Sequence, residues 1–105
     1  MYGYQLTFFT QQDRTHKNRC LCDWLIEEAL SMGIKGATLL TAAEGFGREH
    51  KLHFAGFFDM SDQPVEISMA VSEDTAVLFL HHLKQEGIDV FYIKSRIEFG
   101  TTRDC

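Results

Sequence analysis

Alternating apolar and polar residues open the chain and predict a β-strand over residues 2–10. Tyr4, Leu6 and Phe8 are apolar or aromatic, and the residues between them are polar. Because successive side chains of a strand point to opposite faces, this spacing is typical of a strand with one buried face. Similar runs of apolar and β-branched residues predict four further strands: 35–46, 51–60, 65–71 and 88–99.

Two segments have their apolar residues at helical spacing instead. They predict helices over residues 17–33 and 72–87. Gly33 and Gly87 stand where these helices end, because glycine adopts the left-handed conformation of a helix C-terminus without strain. Ser72 is a suitable N-cap for the second helix, and the acidic residues that follow it suit a first turn.

The order of these elements predicts the fold. Two βαβ units in succession form a four-stranded antiparallel sheet with two helices on one face, which is the ferredoxin-like βαββαβ arrangement of the α+β class. The chain has 105 residues, so a single domain spanning residues 1–105 is expected. Since this fold carries many unrelated functions, the function has to be argued from the site.

The face of the sheet that the helices leave open also contains apolar residues. Phe9, Leu40, Phe57, Phe91 and Ile93 alternate with the residues assigned to the helix-covered face. An exposed apolar patch of this kind usually marks an interaction surface. We therefore expect a closed, cyclic homo-oligomer in which this face is covered.

Composition and charge exclude two broad classes of protein. The formal net charge is −5, which argues against a general nucleic-acid binder because phosphate neutralisation needs clustered Lys and Arg. No apolar run approaches the roughly 20 residues of a membrane-spanning helix. The first ten residues lack the basic start and the cleavage site of a signal peptide, so a cytoplasmic protein is expected.

The three cysteines fit a reducing compartment. Cys20 and Cys22 both fall in the first predicted helix, where residues two apart lie about 200° apart around the axis. We therefore expect that they neither form a disulfide nor bind one metal together. Cys105 is the last residue. Plain reduced thiols are expected at all three positions.

A glycine-rich stretch, residues 44–54 (EGFGREHKLHF), is the main candidate for chemistry. It is compatible with a simple hairpin turn, in which Gly45 and Gly47 supply positive φ angles. It is equally compatible with an anion-binding loop. Glycines let backbone N–H groups approach an anion closely, and Arg48 can then bind phosphate or carboxylate with its planar guanidinium group. Lys51 and His53 add further positive charge.

Two motifs in this region resemble those of the PII signal-transduction proteins. GIKGATLL (33–40) resembles the Gly-Ile-x-Gly-x-Thr pattern that starts the second strand of that family, and EGFGR (44–48) resembles the Gly-Phe-Gly-Arg pattern that ends it. QPVEISMAV (63–71) lies where PII proteins have a proline before the next strand. The resemblance covers the whole chain in element order and is strongest to the small PII-like proteins.

The resemblance implies a homotrimer that binds nucleotides or related small molecules in clefts between its subunits. It also implies a T-loop after the second strand that docks on a target protein, such as a membrane transporter or an enzyme. By motif, Thr38, Gly45, Gly47 and Arg48 would have ligand-binding roles, with Lys51 or His53 beside them.

One departure from the PII pattern affects the choice of ligand. PII proteins carry a glycine-aspartate-glycine-lysine turn for phosphates after the second helix, whereas this chain reads EGIDV (86–90) and lacks the lysine. The segment before Pro64 contains no tyrosine, which argues against control by tyrosine uridylylation. ATP bound in the usual PII manner is therefore not expected, whereas another adenine nucleotide or an anion remains open.

Two other functions compete with this one. A metal-responsive trimer of the same architecture could use His50 and His53, although on one strand these residues point to opposite faces and do not chelate within a chain. An enzyme is not expected, because no motif pairs a nucleophile with a base.

Overall fold

The computed structural model describes residues 1–41 and 64–104. Two α-helices are present in these ranges, α1 (Leu21–Ser31) and α2 (Glu73–Gln85). The strands are β1 (Tyr2–Gln11), β2 (Thr15–His16), β3 (Arg19–Cys20), β4 (Thr38–Thr41), β5 (Pro64–Ser72) and β6 (Phe91–Glu98). A short 3-10 helix, Thr102–Asp104, follows β6. Neither α-helix in the described ranges is long and apolar enough to cross a membrane.

The main sheet has the strand order β4-β5-β1-β6, and every neighbouring pair is antiparallel. The register places Phe8 opposite Ile67 on one side and opposite Tyr92 on the other. Both helices contact β1 and β5, the two central strands. This arrangement confirms the predicted ferredoxin-like sheet with two helices on one face.

The core lies between the two helices and the covered face of the sheet. Its fully buried side chains come from alternate positions of β1 and β5, as the sequence pattern predicts, and from one side of each helix. The rings of Phe8 and Phe79 meet edge to face, with their centroids 5.8 Å apart. The largest of the fully buried side chains are Leu6, Phe8, Leu21, Leu25, Val65, Ile67, Met69 and Phe79.

The first helix begins four residues later than predicted, at Leu21 instead of Lys17. Residues 15–20 form a small hairpin, in which Thr15 pairs with Cys20 and His16 pairs with Arg19. Lys17 and Asn18 form its two-residue turn with φ angles of 53° and 64°. Positive φ at both central residues is the geometry of a type I′ turn, which suits the twist of a hairpin and interrupts a helix.

This hairpin also corrects the expectation for the cysteines. Cys20 is the last residue of β3 and the N-cap of α1, with an extended backbone (φ −56°, ψ 129°), whereas Cys22 lies inside the helix. The two sulfur atoms therefore do not diverge around one helix. They lie within 4.8 Å of each other.

The predicted ends of the helices are confirmed at both glycines. Gly33 and Gly87 have φ angles of 84° and 76°. Ile34 then donates its backbone N–H to the carbonyl of Ala29, and Ile88 donates to that of Leu83, so each helix ends with its last carbonyls paired. At the start of α2, the hydroxyl of Ser72 accepts the backbone N–H of Thr75, which confirms the predicted N-cap.

Two strands are shorter at their start than predicted. The predicted strand 88–99 begins at Phe91, because the backbone N–H of Ile88 is used to close α2. The predicted strand 35–46 begins at Thr38, after the turn that follows α1. Its last residues and the predicted strand 51–60 lie outside the described residues.

The face opposite the helices, called the open face below, is mixed in character. At its centre Gln5 donates a hydrogen bond to Ser68 at 2.9 Å, and the hydroxyls of Thr7 and Ser68 lie 3.4 Å apart. At one end, the rings of Phe9 and Phe91 are 5.7 Å apart, and Ile93 follows on the same face. The side chains of Phe91 and Ile93 are 69% and 49% exposed. Three residues of the predicted apolar patch, Phe9, Phe91 and Ile93, therefore lie together at one end of this face. The side chain of Leu40 and all of Phe57 lie outside the described residues.

Candidate functional site

One end of the sheet collects the segments that the sequence singled out. Gln11 at the end of β1 pairs with Pro64, and Thr41 pairs with Val65 at the start of β5. The chain therefore leaves β4 and returns to β5 at this end. The loop between α2 and β6 reaches the same end, because Phe91 pairs with Phe9 near the end of β1. We call this the loop end of the sheet.

The two segments lie at opposite edges of the sheet. β4 and β6 are the outer strands, and β5 and β1 lie between them. Three interstrand spacings separate the outer strands, which is roughly 14 Å. Thr41, the last described residue before the glycine-rich stretch, thus lies at one edge, and the loop before β6 leads to the other.

Contacts from Arg14 and from the small hairpin hold the loop before β6 in place. The guanidinium group of Arg14 donates a hydrogen bond to the backbone carbonyl of Asp89. The ammonium group of Lys17 and the imidazole of His16 contact the same carboxylate oxygen of Glu86, at 3.1 Å and 3.2 Å. These contacts, with Lys17 first and His16 second, lower the pKa of Glu86 below its ordinary value.

A groove of about 560 Å³ opens between α2 and β6, next to this loop. Apolar and aromatic side chains form most of it, and His81, Lys84 and Asp89 supply polar groups. Its volume is within the range of small-molecule sites. The lining residues are Phe8, Val77, Leu80, His81, Leu83, Lys84, Ile88, Asp89, Val90 and Tyr92.

Sequence reasoning missed this groove, although a signal for it exists. Val77, Leu80, His81 and Lys84 are spaced i, i+3, i+4 and i+7, so they share one face of α2. That face is distinct from the side that carries the buried Ala76 and Phe79. Apolar residues on a second face of a helix, beside the buried face, indicate a binding surface.

Two histidines surround the single tryptophan. The ring of Trp24 lies 4.6 Å from that of His16 and 5.9 Å from that of His82, between centroids. The second histidine is paired with Glu28, with 2.6 Å between Nε2 and Oε1. These contacts agree with hydrogen-bonded histidines and with a tryptophan that serves packing, since only 5% of Trp24 is exposed.

Of the predicted ligand-binding residues, the structure describes only Thr38. It is the first residue of β4, it is exposed, and it pairs with Ser68, so it belongs to the open face about 10 Å along the strand from Thr41. The other predicted residues lie outside the described residues: Gly45, Gly47, Arg48, Lys51 and His53, together with His50 of the alternative metal site.

Two solved structures share the fold of this chain. A PII-like signaling protein from Thermus thermophilus superposes with a TM-score of 0.63 at 21% identity, covering 92% of this chain and 88% of the other. CPII of Thiomonas intermedia K12, bound to ADP, AMP and acetate, superposes with a TM-score of 0.62 at 17% identity, covering 95% and 90%. The chain therefore has the fold of the PII-like signalling proteins.

The family is shown by sequence. The model of DUF190, described as "Uncharacterized ACR, COG1993", matches residues 3–97, and the chain belongs to this family. A UPF0166 protein of Aquifex aeolicus (strain VF5) is 26% identical over 97 residues, which cover 84% of this chain and 92% of that protein. The superpositions confirm the predicted resemblance to PII-like proteins at the level of the fold.

Proposed function

We propose that this protein is a non-enzymatic PII-like regulator in the cytoplasm. Three copies form a homotrimer through their open faces, and each cleft between two copies binds a small-molecule effector, an adenine nucleotide. The bound effector controls how the segment after β4, which corresponds to the T-loop, docks on a target protein. A membrane transporter or an enzyme is the kind of target proposed.

The placement of the two loops at opposite edges is the observation that carries this proposal. Thr41 ends the described part of β4 at one edge of the sheet, and Gly45 follows it by four residues in the sequence. The loop before β6 belongs to the other edge, roughly 14 Å away across the sheet. In the trimer proposed here the β4 edge of one copy meets the β6 edge of the next in a head-to-tail ring, which would bring the two loops together in one cleft.

The charges of the two loops are complementary in this arrangement. Residues 86–90 contribute two carboxylates, Glu86 and Asp89, and contain no cation. A phosphate group needs positive partners, which Arg48 and Lys51 of the neighbouring copy would supply, with Gly45 and Gly47 offering backbone N–H groups. Thr38 and His53 complete the proposed set of ligand residues on that copy.

The groove beside β6 would receive the base. Tyr92 and the apolar side chains around it offer a surface on which a planar ring can stack, and Lys84 lies at its polar side. CPII, which shares the fold, has been solved with ADP and AMP bound. This likeness supports an adenine nucleotide over an unrelated anion as the effector.

Calorimetry with AMP, ADP, ATP, cyclic AMP and a panel of divalent metals tests the proposal. We expect saturable binding of at least one adenine nucleotide, weakened about tenfold or more in Arg48→Ala, because one charge-assisted contact to phosphate is lost. Arg103→Ala is the matched control, since Arg103 is exposed at the opposite end of the sheet. Equal weakening in both variants, or binding of none of the nucleotides, would contradict the proposal.

The target is tested with the immobilised chain, with and without the nucleotide that binds. We expect a membrane transporter or an enzyme to be retained in only one of the two states. Replacing residues 49–60 by a short glycine-serine linker should abolish this capture while leaving the described sheet folded. Capture that is unchanged by the linker would exclude the T-loop as the docking element.

A further inference from the structure

The junction between the small hairpin and α1 brings three metal-binding side chains together. The sulfur atoms of Cys20 and Cys22 and a carboxylate oxygen of Asp23 all lie within 4.8 Å of one another. Among the described residues, this is the one group of three or more His, Cys, Asp or Glu side chains that is close enough to bind an ion. None of these three residues lines the groove, and the junction is assigned no role in nucleotide binding.

From this geometry we propose a zinc site formed by Cys20, Cys22 and Asp23. Two sulfur ligands and one carboxylate oxygen belong to the set that Zn²⁺ prefers in proteins. In tetrahedral coordination with Zn–S bonds of about 2.3 Å, the two sulfurs would lie about 3.8 Å apart. The observed spacing therefore needs a contraction of at most about 1 Å. The fourth position is directed to solvent, where water or an external ligand completes the coordination.

The backbone at the junction explains how residues two apart can share an ion. Cys20 ends β3 in an extended conformation, and the helix begins only at the next residue. Its thiol makes a contact with the carbonyl of Gln12 at 3.6 Å and no capping hydrogen bond to α1. Because the thiol is not needed as a cap, it can turn toward the thiol of Cys22 at little cost.

The start of a helix also favours the charge of such a complex. Two thiolates, one carboxylate and Zn²⁺ together carry one negative charge. The N-terminus of α1 presents backbone N–H groups with partial positive charge, which stabilise an anionic group there. Binding releases the two thiol protons to water, so that one Zn²⁺ replaces two H⁺.

Packing alone explains only part of this cluster. Cys22 is buried in the core, where a small apolar side chain suffices, and burial raises the pKa of its thiol to about 12. Cys20 is partly exposed and Asp23 is exposed, so neither is required to fill the core. Their ligand atoms nevertheless lie within 4.8 Å of the Cys22 sulfur.

Metal titration of the reduced, full-length chain tests the proposal. The Cys105→Ser variant serves as the parent, because it removes the third thiol. We expect it to bind one Zn²⁺ per chain in competition with a chromophoric chelator. Cd²⁺ as a probe should give the ultraviolet absorption of cadmium–thiolate bonds.

Single substitutions then locate the ion. Cys20→Ser should weaken Zn²⁺ binding by about 100-fold and remove the cadmium–thiolate band of its sulfur, and Asp23→Asn should weaken binding by about tenfold. Asp13→Asn, at an exposed carboxylate in the preceding turn, is the matched control and should bind as the parent does. Since Cys22→Ser alters the core, circular dichroism must accompany it, and Cys20→Ser carries the test if that variant fails to fold.

Two results would overturn the proposal. One is unchanged Zn²⁺ affinity in Cys20→Ser. The other is Zn²⁺ binding that is lost in His50→Ala and kept in Cys20→Ser and Cys22→Ser. Both are independent of nucleotide binding, which is measured separately.

Discussion

The two faces of the sheet are built from the same strands, and they differ in what completes them. On the covered face, Leu6, Phe8 and Ile67 are fully buried beneath the two helices. The open face has a polar centre around Ser68 and an apolar end formed by Phe9, Phe91 and Ile93. The chain covers the first face by itself, whereas the apolar end of the second remains exposed to solvent in a single copy.

The position of that apolar end is informative. It lies at the loop end of the sheet, the end at which the chain leaves β4 at one edge and enters β6 at the other. The surface proposed to bind another copy and the loops proposed to bind the effector are therefore at the same end. Assembly and ligand binding are expected to depend on each other, because both use this end.

The largest expected effect is a difference in stability between alanine variants of Phe8 and of its neighbour Phe9. Phe8→Ala removes a fully buried ring, which should lower the free energy of unfolding by about 3–5 kcal/mol. Phe9→Ala removes a half-buried ring from the open face and should cost clearly less in the single chain. Denaturant unfolding at low protein concentration measures both. Equal losses of stability would show that Phe8 and Phe9 contribute equally to the single chain, against the difference between the two faces.

A close approach of two strands gives the next largest effect. Gly3 faces the open side of β1, where an added Cβ would lie 2.0 Å from the backbone carbonyl oxygen of Val71 and 2.9 Å from the ring of Phe99. Gly3→Ala must push β1 away from β5, at about 1–3 kcal/mol. Gly100→Ala is the matched control, because no atom lies within 4 Å of its added Cβ. Thermal unfolding should show a lowered midpoint for the first variant alone.

Much of the covered face could be predicted, because its elements follow simple rules. The alternation in β1 and β5 and the caps of α2 at Ser72 and Gly87 were each sufficient to place an element. The hairpin at 15–20 was missed, since its turn is Lys17–Asn18 and lacks the glycine that usually indicates a type I′ turn. The closeness of Cys20 and Cys22 was missed as a direct result.

The site was less predictable than the fold. The strand order of the sheet places Thr41 and the loop before β6 at opposite edges. That order follows from the predicted fold. The groove is formed by a second face of α2 together with β6. The spacing of residues along α2 shows that face, but it does not show that β6 lies beside it. Long-range contacts such as the one between Lys17 and Glu86, 69 positions apart, have no local pattern.

The open face provides the third comparison, which concerns assembly. Ile93→Ser removes an exposed apolar side chain from the proposed interface and should raise the dissociation constant of the oligomer by about tenfold or more. Lys94→Ser, at the next position, faces the other side and should leave assembly unchanged. Sedimentation velocity over a concentration series measures both. The same behaviour in the two variants would argue against an interface on the open face.

The smallest expected effect concerns pH. Contacts with Lys17 and His16 lower the pKa of Glu86 in the folded chain. Its stabilising contribution is therefore fully present above the unfolded pKa, about 4.3, and is lost as pH falls through the lower folded value. The wild-type chain should lose more stability than Glu86→Gln as the pH is lowered through this range.

Lys17→Ala is the control for this pH effect. Without the ammonium group, the pKa of Glu86 should move back toward its ordinary value. The pH dependence of stability should therefore differ less between Lys17→Ala and the Lys17→Ala/Glu86→Gln double variant than between the wild-type chain and Glu86→Gln. A difference that keeps its full size without Lys17 would show that another group stabilises the carboxylate.

Native mass spectrometry with the bound nucleotide examines the proposed nucleotide-binding trimer as a whole, because it reports assembly and binding together. We expect a species of three chains, each of 12.1 kDa, that carries one adenine nucleotide per chain. Dissociation of this species by Ile93→Ser should release the nucleotide as well. A single chain that carries the nucleotide by itself would contradict the account, and so would a trimer that binds none of the four adenine nucleotides.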